Sequence, residues 1–404
     1  MKYNKWTLAL AAAGVVTTPS LVLAAPSQVL TALTDTTLSG YVDTSAQWNL
    51  GTGNNNNPPY SFGGANKADG FNLDVVDIAL DKPMDASQWA SGYHVELWAG
   101  PDAGALGTIG IRQAYVALRT PIGNGIDWKI GVWDTIIGYE GLTSYNNPNY
   151  TRSYGFTIEP TTHTGIQGTY KFSDEVSLTA AVANSFGPQV GGSGTTYASG
   201  GHALSPYTPG SANESFKTYM AALNLTAPAS WGWAGGSTLS AGVINGYNAA
   251  AGSSGTRQTS LYLGSTIATP LTALKFGVAL DWNWTHDNAN VTAEGSNGRL
   301  FNVALYSTYQ ATPQLSLNLR AERLDSQADF SEISGDPSDR EIFDGNTIWE
   351  VTATAQYDLW QNVVSRVEFR WDHVEHGKAF GGTTAGYPSL DNAFMLAVNI
   401  IYKF

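Results

Sequence analysis

The final segment of the chain, residues 392–404, alternates without a break. Phe394, Leu396, Val398, Ile400, Tyr402 and Phe404 fall on one side, and Ala393, Met395, Ala397, Asn399, Ile401 and Lys403 on the other. Successive side chains of a strand point to opposite faces, so this is a strand with one continuous greasy face. A soluble sheet hides such a face under a second layer. Here the face carries aromatic rings up to the last residue, as in a membrane barrel, whose strands offer hydrocarbon outward, a wetter surface inward, and aromatic rings at the bilayer edge.

The other end agrees. Lys2 and Lys5 precede an apolar stretch over residues 8–16, and Val22-Leu23-Ala24 followed by Ala25-Pro26 has the small residues of a cleavage site. Residues 1–24 are therefore expected to be a cleaved signal peptide, with 25–36 a short periplasmic segment and 37–404 the barrel. The alternative, a retained anchor helix, is disfavoured because the apolar core is too short to cross about 30 Å of hydrocarbon. No later stretch approaches the roughly 20 apolar residues of a membrane helix. Charge is sparse at 13% of residues, Trp and Tyr number 13 and 20, and mean hydropathy is −0.15, as expected where apolar and polar residues alternate. A net charge of −13 argues against nucleic acid as a partner. The absence of cysteine removes disulfides, thiolate metal sites and a catalytic thiol.

Period-2 runs recur along the whole chain. The clearest are residues 38–50, 274–285, 315–323, 348–359, 363–373 and the terminal run. Weaker ones cover 71–81, 92–100, 109–120, 126–137, 164–172, 176–186, 216–226, 237–247, 258–268 and 299–311, and the phase of 71–81 changes midway, as at a bulge or a misplaced strand boundary. The expected fold is all-β: a transmembrane antiparallel up-and-down barrel of about 16 strands, with 14 to 18 compatible with the pattern. Connections alternate short and long, so short turns are assigned to the periplasm and long loops to the outside. A soluble sandwich or β-helix would also alternate. The first is rarely so rich in Trp at strand ends, and the second needs a fixed repeat that is not found.

The residues Leu38-Ser39-Gly40-Tyr41-Val42-Asp43-Thr44-Ser45 with Gln47-Trp48-Asn49, the run 92–98, and Gly138-Tyr139-Glu140 through Asn146, Arg152, Pro160 and His163-Thr164-Gly165 resemble the family called "putative β-barrel porin-2", found in bacteria with two membranes. The likeness spans most of the chain on loose motifs. It implies an outer-membrane barrel with a porin role, and no particular substrate. Phe404 resembles the terminal signal that outer-membrane proteins present to the barrel-insertion machinery. Lipid, lipopolysaccharide and small polar solutes are the implied partners. General porins of this size are often trimers, so a homotrimer is an assembly to test.

A wide barrel with polar walls fills with water, so the expected function is passive diffusion of small hydrophilic solutes, with selectivity set by charges at the narrowest section. By analogy with general porins, the third long loop, residues 138–163, is the expected constriction, and its Glu140, Arg152 and Glu159 are candidates. Lys129, Arg320, Glu322, Arg366, Glu368 and Arg370 lie on the inward phase of their strands and are candidate pore-lining residues. Opposed acids and bases across a pore would set up a transverse field. The same residues could instead pair as structural wall bridges. Net acidity weakly suggests cation preference, although much of it falls in outer loops, at Asp325, Asp329, Glu332, Asp336, Asp339, Glu341 and Asp344.

An alternative from another class is a plugged structural or adhesive barrel, in which Tyr145, Asn146, Asn147, Asn149, Tyr150 and Tyr154 stack on sugars or other ligands at the surface. His373-Val374-Glu375-His376 has metal-ligand residue types, but on a strand His376 points away from His373 and Glu375. No metal or other cofactor is expected. With no G-x-S-x-G elbow, H-E-x-x-H helix or phosphate loop, no enzymatic activity is expected.

Overall fold

Alternation closes into a ring. The computed structural model describes residues 35–58, 67–103, 110–184, 186, 217–248, 256–286, 299–327, 345–384 and 386–404. These contain the strands β1 (Thr37–Trp48), β2 (Gly70–Lys82), β3 (Ser91–Ala99), β4 (Gly110–Thr120), β5 (Ile126–Asp134), β6 (Thr162–Lys171), β7 (Val176–Ala183) and β8 (Thr218–Thr226). They continue as β9 (Thr238–Asn248), β10 (Thr256–Ala268), β11 (Leu274–His286), β12 (Arg299–Gln310), β13 (Leu315–Ser326), β14 (Thr347–Trp360), β15 (Val363–Val374) and β16 (Asn392–Lys403). Each strand pairs antiparallel with the next, and β1 pairs with β16 to close the barrel. The register at the seam sets Tyr41 against Lys403 and Trp48 against Leu396, and the Phe404 N–H donates to the Gly40 carbonyl. Closure leaves no free sheet edge.

One strand shows why these residues form this wall. On β14, Trp349, Val351, Tyr357 and Leu359 are exposed on the outer face, while Glu350, Thr352 and Thr354 between them are buried inside. The outer residues are β-branched, aliphatic or aromatic, and the bulkiest rings sit toward the strand ends, where the bilayer meets water.

The sixteen expected segments are found near their expected bounds. Three departures have physical causes. The phase change in β2 is a bulge: the β1–β2 register shifts between Asp43 and Thr44, and Asp74 is the extra residue. Its carboxylate turns inward, 2.8 Å from Lys67 and 2.9 Å from Ser45. A second shift, between Glu96 and Leu97 on β3, leaves Arg112 unopposed on β4 and turns it inward onto Asp134. Third, β5 stops at Asp134 rather than 137, because residues 135–161 turn into the barrel. The expected leader 1–24 and the acidic stretch 329–344 lie outside the described residues.

Gly131 marks a point where backbone conformation limits the wall. It adopts φ +136, and a Cβ there would overlap the Ala114 carbonyl oxygen of β4. Gly131→Ala is expected to destabilise the barrel by about 1–3 kcal/mol from backbone strain alone. The check is a lower urea midpoint for loss of the compact, heat-modifiable band on a gel.

Candidate functional site: a loop clamped inside the barrel

Residues 135–161, between β5 and β6, make few ordinary turns and hold their shape with side chains. Asn147 staples the loop: its side chain accepts from the Gly141 N–H at 2.8 Å and donates to the Gly141 and Thr143 carbonyls at 2.8 and 2.7 Å. Arg152 does the same from the other side, donating to the carbonyls of Gly141 (2.9 Å), Leu142 (3.0 Å) and Tyr150 (2.7 Å). The one-turn helix α1 (Tyr154–Ile158) starts at Ser153, whose hydroxyl accepts from the Phe156 N–H at 3.0 Å. The Ser153 N–H in turn donates to Glu140 at 2.8 Å.

The wall then grips this shaped backbone. Glu368 on β15 accepts the N–H groups of Tyr150 (2.5 Å) and Thr151 (2.9 Å) and the hydroxyls of Thr151 (2.6 Å) and Thr354 (2.7 Å). Glu322 on β13 accepts the Tyr154 N–H at 2.8 Å and Asn302 at 3.2 Å. Arg366 donates to the carbonyls of Ser144 (3.1 Å) and Asn147 (2.9 Å), and Arg370 to that of Arg152 (2.7 Å). Arg320 bridges Glu140 of the loop (2.8 Å) to Glu350 of β14 (3.1 Å) and donates to the Thr151 carbonyl (2.9 Å). Arg370 pairs with Asp372 at 2.8 Å, and the Tyr154 hydroxyl donates to the same carboxylate at 2.7 Å. Arg152, Arg320, Glu368 and Arg370 are completely buried. Stripping water from an ion costs several kcal/mol, and such charges survive only when every lone pair and proton is satisfied, as the four bonds to Glu368 illustrate.

On the far side the contact is apolar. Tyr139 stacks on Tyr306 with ring centroids 4.1 Å apart. Gly277 leaves the room for it, since a Cβ there would overlap the Tyr139 hydroxyl. Ile137 packs with Trp133, Ala181, Phe186, Met220, Ile244 and Tyr262. Between the two regions Asn283 of β11 donates to the Ile158 carbonyl at 2.9 Å. Burial, with Asp281 and then Glu140 nearby, pushes the Glu159 carboxyl well above the usual range, which favours its protonated form beside Asp281.

These positions correct the expectation of a transverse field. Glu140, Arg152, Arg320, Glu322, Arg366, Glu368 and Arg370 come together, but they bond to one another and to backbone rather than face each other across water, because a loop lies between them, while Glu159 sits beside Asp281 of β11 instead. Lys129 stands apart on β5, half-buried, with its ammonium 4.7 Å from the Tyr115 ring centroid. The expected surface-stacking group is also corrected. Tyr150, Tyr154, Asn147 and Asn149 are buried anchors, and Tyr145 packs edge-on against Tyr41 with centroids 5.1 Å apart. Glu350 and Asp372, readable on the inward phase of their strands, belong to the clamp. They hold Arg320 and Arg370 in place, whereas the loop amides that Glu322 and Glu368 accept could not be read from any motif. His373 stacks on Trp371 and its Nδ1 lies 3.1 Å from Asn392, while Glu375 accepts from the Trp349 indole at 2.7 Å. Among the described residues no group of three His, Asp or Glu is arranged to hold a metal ion.

Two outcomes follow from this chemistry. Arg320→Ala leaves Glu140 buried without its cation and Glu350 with only Arg370 at 3.8 Å, and is expected to cost about 3–5 kcal/mol, read as a lower urea midpoint and faster proteolysis within residues 135–161. Glu159 gives a pH dependence. A carboxyl whose pKa rises on folding supports stability fully below its unfolded pKa of about 4.3, and this is lost as pH rises through the folded value. Glu159→Gln is expected to flatten that loss, seen by comparing urea midpoints of variant and parent from about pH 5 to about pH 9.

Among solved structures, the barrel is similar to the outer-membrane channel DcaP of Acinetobacter baumannii, at 13% identity over 91% of this chain and 97% of that one, with a TM-score of 0.58. It is similar to the anion-selective porin from Comamonas acidovorans at 12% identity, 91% and 99% coverage and TM-score 0.60. It is also similar to Salmonella typhi OmpF, solved in complex with daunomycin, at 12% identity, 91% and 97% coverage and TM-score 0.58. At these identities the likeness is one of fold. No curated protein sequence matches the chain. The family model described as "Putative beta-barrel porin-2, OmpL-like" matches residues 35–404, and the chain belongs to that family of transmembrane barrels.

Proposed function

We propose that this protein is an outer-membrane diffusion porin for small hydrophilic solutes, with its narrowest section formed by residues 135–161. The observation that carries this reading is the clamp. A loop from one side of the barrel is bonded to inward residues of β13, β14 and β15 and leaves Gly141 and Asn146 exposed and Tyr145 half-exposed. A constriction must be held rigidly to discriminate solutes, and buried charge-assisted bonds supply that rigidity. Export by the leader 1–24, insertion guided by Phe404, contact with lipopolysaccharide and assembly as a homotrimer belong to the same reading. The barrel is read as non-catalytic.

The second reading, a plugged structural or adhesive barrel, is favoured by one fact: inward residues around the loop, among them Thr179, Met220, Tyr262, Ala304 and Glu350, are buried. Planar-bilayer recording with graded neutral sugars separates the two. The porin reading expects stable conductance steps that sugars reduce up to a cut-off size, and larger steps once residues 141–150 are replaced by a short glycine linker. Correctly folded protein without conductance would favour the plug.

A further inference from the structure

We propose that the lumen on the short-turn side of the clamped loop is a cationic vestibule that selects small anions, against the sign of the whole chain. This rests on the channel reading above and adds the solute class. Four lysines define it. Lys129 is near the start of β5, Lys171 ends β6, Lys275 is second in β11 and Lys403 ends β16, so all lie toward the ends joined by short turns. Each is on the inward phase: Lys129 opposes Gln167, Lys171 follows Thr169, Lys275 precedes Gly277, and Lys403 follows Ile401. Lys171 and Lys275 are exposed, and Lys129 and Lys403 half-buried.

Among the described residues none of the four has a carboxylate within ion-pair distance. Lys129 and Lys403 instead lie 4.7 and 5.2 Å from the ring centroids of Tyr115 and Tyr145. Carboxylates on the inward wall at the same end are largely spoken for. Asp127 is held by Arg119 through bonds of 2.6 and 2.8 Å, and Asp81 lies 3.0 Å from His94. Asp358, which lines one hollow with Lys403, and Asp174 and Glu175 in the turn after Lys171 are the acids on this rim that oppose the lysines. Tyr145 ties the vestibule to the constriction, because it sits on the open face of the loop and touches both Tyr41 and Lys403. Lysines without a direct ion-pair partner in a low-dielectric funnel concentrate anions and repel cations, whatever the net charge of the whole chain.

The test is the reversal potential of the full-length barrel in a potassium chloride gradient, for the parent and for the variant K129Q/K171Q/K275Q/K403Q. In parallel, binding of inorganic triphosphate to the detergent-solubilised barrel is measured at low and high salt. The expected result is a chloride-to-potassium permeability ratio several-fold above one that falls to about one or below in the variant, with salt-sensitive triphosphate binding lost in step. The exposed pair K171Q/K275Q, which touches no packing, should show a partial fall if the fourfold variant does not fold. A cation-selective parent, or a ratio unchanged in the variants, overturns the proposal. Absence of conductance with triphosphate binding that the substitutions abolish overturns the channel reading and supports the vestibule. Absence of both overturns the vestibule as well.

Discussion

The structure depends on a bargain between buried charge and an irregular backbone. Residues 135–161 bring unpaired N–H and C=O groups into the middle of the barrel, where neither helix nor ladder serves them all. The wall answers with ions. Glu322 and Glu368 collect amides, Arg366 and Arg370 collect carbonyls, and Arg320 ties the loop's own carboxylate to the sheet. Either partner alone would be costly to bury. Together they satisfy each other, since charge-assisted bonds are roughly twice as strong as neutral ones and repay much of the desolvation.

This also explains the division of the wall into two chemistries. The loop's Arg152 and Asn147 direct their bonding to the loop itself, so β13–β15 need supply only the outward-turned backbone groups and a few side chains, among them Glu140, Thr151 and Tyr154. The opposite arc, β9 to β12, meets Ile137 and Tyr139, and there the inward positions shrink to Gly242, Gly277, Ala279 and Ala304 so that rings and branched chains fit. Two bulges complete the ring of contacts. Without the extra residue at Asp74 or at Arg112, the acid and the cation would follow the phase of their strands outward, toward hydrocarbon.

Much of the fold was legible because a two-sided wall writes its period into every strand, as β14 and β16 show. The bulge in β2 was legible for the same reason, as a break in phase. The inward phase also marked Arg320, Glu322, Arg366, Glu368 and Arg370 as a group. Their partners were hidden, because amides and carbonyls of residues 141–154 have no sequence signature, and the distance in sequence from Thr151 to Glu368 carries no pattern. The tyrosines and asparagines of the loop read as surface stacking groups for a related reason: composition suits both a wet loop and a buried, hydrogen-bonded one, and only the carboxylates across the lumen decide between them. Lys129 shares the inward phase of the clamp residues yet lies apart, since phase states the face of the wall but not the height of the loop.

The wall holds the loop mainly through its backbone, and that separates attachment from presentation. Tyr150, Thr151 and Tyr154 offer amides that nearly any residue could offer, whereas Gly141, Tyr145 and Asn146 sit on the open face and take little part in the anchoring to β13–β15. Side chains on that face can therefore change size or charge while the seat stays the same. A barrel built this way can acquire a new filter through a few substitutions at the tip of one loop, with its frame left as it was.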